Sequence, residues 1–219
     1  MKTLAIAGVG PGLGLSLAKR FGREGFQVAL MARHGEKLAR YAEELKEQGI
    51  HALSFTADVT QDADVTAAFD AIEQALGAVD VFIYNAARIQ MISALDTTAE
   101  ITDEHLQVNL LGAIRCATRL VPGMVQRGHG ALLFTGGGGG SLSVLPIATP
   151  LSIGKSGLRS YVHCLHAELA GKGVFAGMLS VDGVIKPGTF FSPDNIADAY
   201  CGFYTRQDDV EAFYKSGTG

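Results

Sequence analysis

Three cysteines in 219 residues, Cys116, Cys164 and Cys201, are too widely spaced for a zinc site and odd in number for a disulfide framework. A reducing compartment, the cytoplasm, is therefore expected. Charge is sparse as well: charged residues are 18% of the chain, the net charge is −4, and the basic residues are scattered. That distribution excludes the concentrated positive footprint that nucleic-acid phosphates require. No apolar run is long enough to cross a bilayer, and the first apolar stretch begins almost at residue 1 with no basic leader or cleavage site before it. The expectation is a soluble protein with no nucleic-acid, membrane or metal partner. Tandem repeats are absent.

What is abundant is apolar. Hydrophobic residues make up 47% of the chain, enough for a large core, and the length suits a single domain over residues 1–219. Apolar runs at 3–9, 26–32, 50–56, 79–84, 131–135 and 174–181 read as strands, several too hydrophobic to leave one face in water. Helical spacing falls between them: over 13–24, through Leu38, Ala42 and Leu45, then over 62–76, 103–127, 151–171 and 194–204. Such alternation predicts an α/β fold with a Rossmann-like, doubly wound parallel sheet and right-handed crossovers. Residues 208–219 read either as a short last strand or as an irregular tail. The stripes at 106–120 and 158–169 either cover the sheet or join copies of the chain.

Glycine is placed with purpose. Gly8, Gly10, Gly12 and Gly14 follow the first strand and open the first helix, with Leu13 as that helix's first apolar residue. There, main-chain N–H groups and the helix dipole can face an anion, and absent side chains let it approach. A glycine string alone is weak, since the bland reading is a tight strand-to-helix turn. The second strand ends in Ala32, Arg33 and His34, with no acidic side chain to bond ribose hydroxyls. Arg33 suits a phosphate, which favours NADP(H) over NAD(H); the bland reading is an exposed arginine at a strand end. Five glycines at 136–140 read either as a flexible loop or as a strand end left bare for a ligand. Lys155 lies on the inward stripe of its helix with Leu151 and Leu158, a costly place for an ammonium without partners.

The glycines at 8, 12 and 14 fit Gly-x-x-x-Gly-x-Gly, and here the chain resembles the short-chain dehydrogenase/reductase family. Further matches come in the family's order over about residues 3 to 205. Asp58 and Val59 resemble the pair that meets adenine, Asn85 and Ala86 the Asn-Asn-Ala-Gly segment, Asn109 the active-site asparagine and Lys155 the cofactor-binding lysine. The resemblance implies catalytic roles for Asn109 and Lys155, a main-chain contact from Ile185 to the nicotinamide amide, a small-molecule substrate and a homo-oligomer.

In the family a tyrosine four residues before the lysine and a serine after the fifth strand move the proton. Those places hold Leu151 and Gly138, so the resemblance implies a divergent member without the usual acid. Lys155 is the first candidate substitute; Ser141, Ser143 and Ser152 are weaker ones, Ser152 reading as an exposed helix residue. Tyr84 and Tyr161 read as packing residues, and His163 and His166 as surface ones. The expected function is an atypical NADP-dependent oxidoreductase acting on a small carbonyl, imine or activated double bond. The alternative is a non-catalytic NADP(H)-binding protein, a redox sensor or partner-binding subunit.

Overall fold

The computed structural model describes residues 1–137 and 144–217. Within them lies one parallel seven-stranded sheet, ordered β3-β2-β1-β4-β5-β6-β7. The strands are β1 (Thr3–Ala7), β2 (Gln27–Ala32), β3 (Ala52–Thr56), β4 (Val79–Tyr84), β5 (Gly130–Gly137), β6 (Val174–Val181) and β7 (Glu211–Tyr214). The helices are α1 (Leu13–Arg23), α2 (Gly35–Glu47), α3 (Asp62–Leu76), α4 (Ala99–Leu106), α5 (Gly112–Arg127), α6 (Thr149–Leu169) and α7 (Pro193–Arg206). This is the single-domain, Rossmann-like α/β architecture that the alternation of elements predicts.

Alternate residues of each strand feed two cores. Leu4, Ile6, Val81 and Ile83 pack on one face with Leu17 and Phe21 of α1, Leu38 of α2, and Tyr200 and Phe203 of α7. Ala5, Ala7, Phe82 and Tyr84 pack on the other with Phe69 of α3, Leu120 of α5, and Leu158 and Val162 of α6. Both faces are thus covered, which is why β1, β2, β4 and β6 carry runs of consecutive apolar residues rather than apolar residues at every second position. The stripes of α5 and α6 are spent on the sheet.

Two features differ from the sequence reading, and one open alternative is resolved. The helix expected at 103–127 starts earlier, at Ala99, where the Thr98 hydroxyl accepts from Ile101 N at 3.3 Å, and a π turn at Gln107–Leu111 interrupts it. The stretch after α7 forms a strand: Met178 N donates to Val210 O, and Asp182 N to Tyr214 O. His163 and His166 are half-buried rather than free on the surface, one 3.2 Å from buried Glu211 and the other 2.9 Å from Ala176 O.

β1 pairs with both β2 and β4, so successive crossovers leave it in opposite directions. That divergence opens a crevice at the carboxyl ends of the strands, the place where doubly wound sheets bind ligands.

Candidate active site

The crevice is a cleft of about 710 Å³. Its floor is the glycine turn. Gly8 has φ +90° and lies against the end of β4, where an added Cβ would overlap Ala86 N. Gly14 is equally confined, its Cβ falling 2.8 Å from Val9 Cα and 2.9 Å from Gly8 O. Gly10 and Gly12 instead face open space, and Gly12 caps α1 without a side-chain bond. Two glycines therefore draw strand, turn and helix together, and two leave the helix start bare for an anion. Gly8 N and Val9 N both donate to Met31 O, tying the turn to β2.

Gly8, Gly10, Leu13, Arg33, Asp58, Val59, Asn85, Ala86, Lys155 and Ile185 all reach the cleft wall, whereas Gly12, Gly14 and Asn109 do not. Gly14 acts through packing. Asn109 is fully buried in the π turn, and both ends of its amide hold the Arg88 main chain: Oδ1 accepts from Arg88 N at 2.9 Å, and Nδ2 donates to Arg88 O at 3.0 Å. The same turn offers Val108 O to the Tyr84 hydroxyl at 2.5 Å, so Tyr84 has a polar role beside its packing one. Asp58 closes a short turn by accepting from Thr60 N.

Lys155 is buried, and its Nζ donates to Thr135 O at 2.8 Å. Desolvation lowers its pKa from 10.5 to about 8. Beside it, one helical turn back, Leu151 presents an apolar side chain to the cleft. Ser152 is buried rather than exposed, its Oγ accepting from Leu145 N at 3.1 Å, because the chain before α6 folds back over it. Gly138, Ser141 and Ser143 lie outside the described residues. The wall opposite is formed by the loop after β6 with Val184 and Ile185, and Phe190 of that loop stacks on Tyr214 at 4.8 Å. Thr189 bonds Lys186 O, away from the cleft.

Some site residues escaped the sequence reading. Next to Arg33 a second cavity of about 390 Å³ is lined by His34, Lys37, Arg40 and Tyr41. Lys37 and Arg40 lie three residues apart on α2, a spacing that marks one helical face and was available as a signal. Thr135, which ends up at the centre of the site, carried no signal.

The match to the short chain dehydrogenase family covers residues 2–189. The chain belongs to the short-chain dehydrogenase family. By type, short-chain dehydrogenases are oxidoreductases, and this chain shares their fold over its whole described length. A Streptomyces coelicolor relative, provisionally named a ketoacyl reductase, is 33% identical over 77% of this chain; the match spans 65% of that protein, just under two thirds of its length. A 2-dehydro-3-deoxy-L-rhamnonate dehydrogenase (NAD(+)) of a Sphingomonas species is 32% identical over 86% of this chain and 72% of its own. Among solved structures, a metagenomic short-chain oxidoreductase in complex with NADP superposes with a TM-score of 0.87 at 22% identity, covering 97% of this chain and 96% of that one. That likeness is one of fold. No helix among the described residues is long and apolar enough to cross a membrane.

Proposed function

We propose that this short-chain dehydrogenase is an NADP(H)-dependent oxidoreductase of an atypical kind, acting on a small carbonyl, imine or activated double bond. The observation that carries this reading is the buried, partly desolvated Lys155 at the head of a cleft whose floor is the confined glycine turn. The residues present fit a dinucleotide. The bare start of α1 suits the pyrophosphate, Asp58 and Val59 the adenine, Asn85 and Ala86 the linking riboses, Lys155 the ribose beside the reacting ring, and Ile185 its amide. When bound, the cofactor supplies the hydride.

Relatives of this chain do not agree on the cofactor, since the Sphingomonas enzyme is named for NAD(+). The choice of NADP(H) is supported by the end of β2. Arg33 and His34 are exposed on the cleft wall, and Lys37 and Arg40 stand in the adjoining cavity. Lys37 and Arg40, two cations beside Arg33, favour a ribose 2′-phosphate. Replacing both Arg33 and Arg40 by serine is expected to weaken NADPH binding by about 30- to 300-fold, as for two lost charge-assisted contacts, and to change NADH binding by under about threefold. Fluorescence titration of both cofactors checks it; parallel losses would sink the phosphate assignment.

Substrate handling rests on a cleft whose lining includes, with the lysine, the apolar Ile89, Met91, Leu145, Leu151 and Val184. Leu151 can neither give nor take a proton, so the lysine ammonium or water supplies it. That same residue supports a second reading, a non-catalytic NADP(H)-binding protein. Leu151→Tyr separates the two. For an altered enzyme, turnover over a panel of carbonyls, imines and enones is measurable before the substitution and is lost in Lys155→Ala. For a binding protein it is below detection at first, and the new tyrosine brings it into the measurable range, since a positioned acid contributes about 10²- to 10⁴-fold. Self-association belongs to the same proposal. It would use the outer faces of α5 and α6, and sedimentation velocity measures it.

A further inference from the structure

We infer that Tyr200 is a positioning residue for the nucleotide turn, acting from α7 through Thr135 and Asn85. Tyr200 is fully buried, and its hydroxyl lies 2.7 Å from Thr135 Oγ1, a residue 65 positions away in the chain. Thr135 Oγ1 lies 3.1 Å from Asn85 Oδ1, and Asn85 Nδ2 lies 2.9 Å from Gly8 O.

The polarity of this chain of bonds follows from donor and acceptor inventory alone. Gly8 O can only accept, so the Asn85 amide must offer it the NH₂ group and turn its oxygen toward Thr135. That oxygen also only accepts, so the single Thr135 hydroxyl proton goes to Asn85. Thr135 Oγ1 is then left as an acceptor, and Tyr200 must donate. Three bonds share one direction, beginning at α7 and ending on the glycine whose backbone forms the floor of the cleft. Polarised in series, each strengthens the next.

Thr135 is the branch point. Its side chain holds Asn85, while its carbonyl holds the Lys155 ammonium. One residue at the end of β5 therefore sets both the amide that steadies the pyrophosphate turn and the cation beside the reacting ring. The Tyr200 ring packs in an apolar core with Phe203 and Phe175, where a phenylalanine would fill the same space. Its hydroxyl has no packing task. Burial raises its pKa far above the ordinary value, so it stays protonated and remains a donor across the working range.

Without the hydroxyl, the Thr135 oxygen has an unfilled acceptor site, its bond to Asn85 loses the polarisation that strengthened it, and the Asn85 amide is held less firmly. The expected result for Tyr200→Phe is NADPH binding weaker by about tenfold, with a melting temperature lowered by a few degrees. The diagnostic measurement is a double-variant cycle. In an Asn85→Ala background the chain is already cut, and Tyr200→Phe should then leave the NADPH dissociation constant unchanged. The same tenfold loss in both backgrounds would mean that the Tyr200 hydroxyl acts by a route that does not pass through Asn85 and would overturn the inference. Thr135→Val, which cuts the chain at its middle and leaves α7 intact, gives the same comparison if Tyr200→Phe does not fold.

This inference rests on the cleft holding NADP(H), and a second arm separates the two. If the unsubstituted protein binds neither NADPH nor NADH, the functional proposal fails. Hydrogen exchange of the Asn85 side-chain amide, followed by NMR without cofactor, still tests the bonds. Exchange at least about tenfold faster in Tyr200→Phe supports the chain. Equal exchange overturns it, as does an unchanged dissociation constant in a parent that binds.

Discussion

Lys155→Met is expected to make the protein more stable and less able to hold its cofactor. Below pH 8 the folded protein carries a buried ammonium whose pKa has fallen from 10.5 to about 8. That fall corresponds to roughly 3 kcal/mol against the folded state. Methionine removes this penalty and keeps the unbranched stem, while the Thr135 carbonyl loses its partner at about 1.5 kcal/mol, so a net gain of about 1–2 kcal/mol is expected. Between pH 8 and 10.5 the unfolded chain binds the proton and the folded chain does not. Stability of the unsubstituted protein therefore rises with pH across that window, and the advantage of methionine disappears by its upper end. Urea unfolding at pH 7 and pH 10 measures both. NADPH binding should run the other way: it falls in the unsubstituted protein as pH rises through about 8, because the ammonium neutralises, and is weak and pH-independent in Lys155→Met. A loss of stability at pH 7 with unaltered NADPH affinity would show that the lysine is structural.

Gly8→Ala is expected to damage fold and site together. The φ of +90° is unfavourable for a residue with a Cβ, and that Cβ would fall into the Ala86 main chain and 2.8 Å from Asn85 C. Since neighbouring backbone cannot step aside as a flexible side chain can, a loss of about 2–4 kcal/mol is expected, and NADPH binding should fall by more than about 100-fold as β1 and β4 separate. Gly49 provides the control. It has φ +76° with nothing within 4 Å of its added Cβ, so Gly49→Ala tests left-handed strain alone. It should cost about 1 kcal/mol and leave NADPH binding unchanged. Comparable binding losses in the two variants would mean that strain, not the close approach to Ala86, is what the glycine turn depends on.

The amino-acid sequence alone determined the layered fold, the glycine-rich strand-to-helix turn and the inward lysine, because each is a local pattern. Apolar runs alternating with helical stripes report which faces must leave water, glycines after a strand report a turn where side chains do not fit, and Lys155 shares the spacing of Leu151 and Leu158. Even there, the π turn around Asn109, the earlier start of α4 and the burial of Ser152 were invisible, since each depends on what another part of the chain places against it. The basic cavity beside Arg33 was half legible, in the spacing of Lys37 and Arg40. Only the tertiary structure decided that the Asn109 amide holds the Arg88 main chain, that β7 completes the sheet, and that Thr135 joins Tyr200, Asn85 and Lys155. Hydrogen-bond partners in those cases are 20 to 65 residues apart. Local propensity carries no information about such pairs, because they meet only when strands that are distant in the chain become neighbours in the sheet.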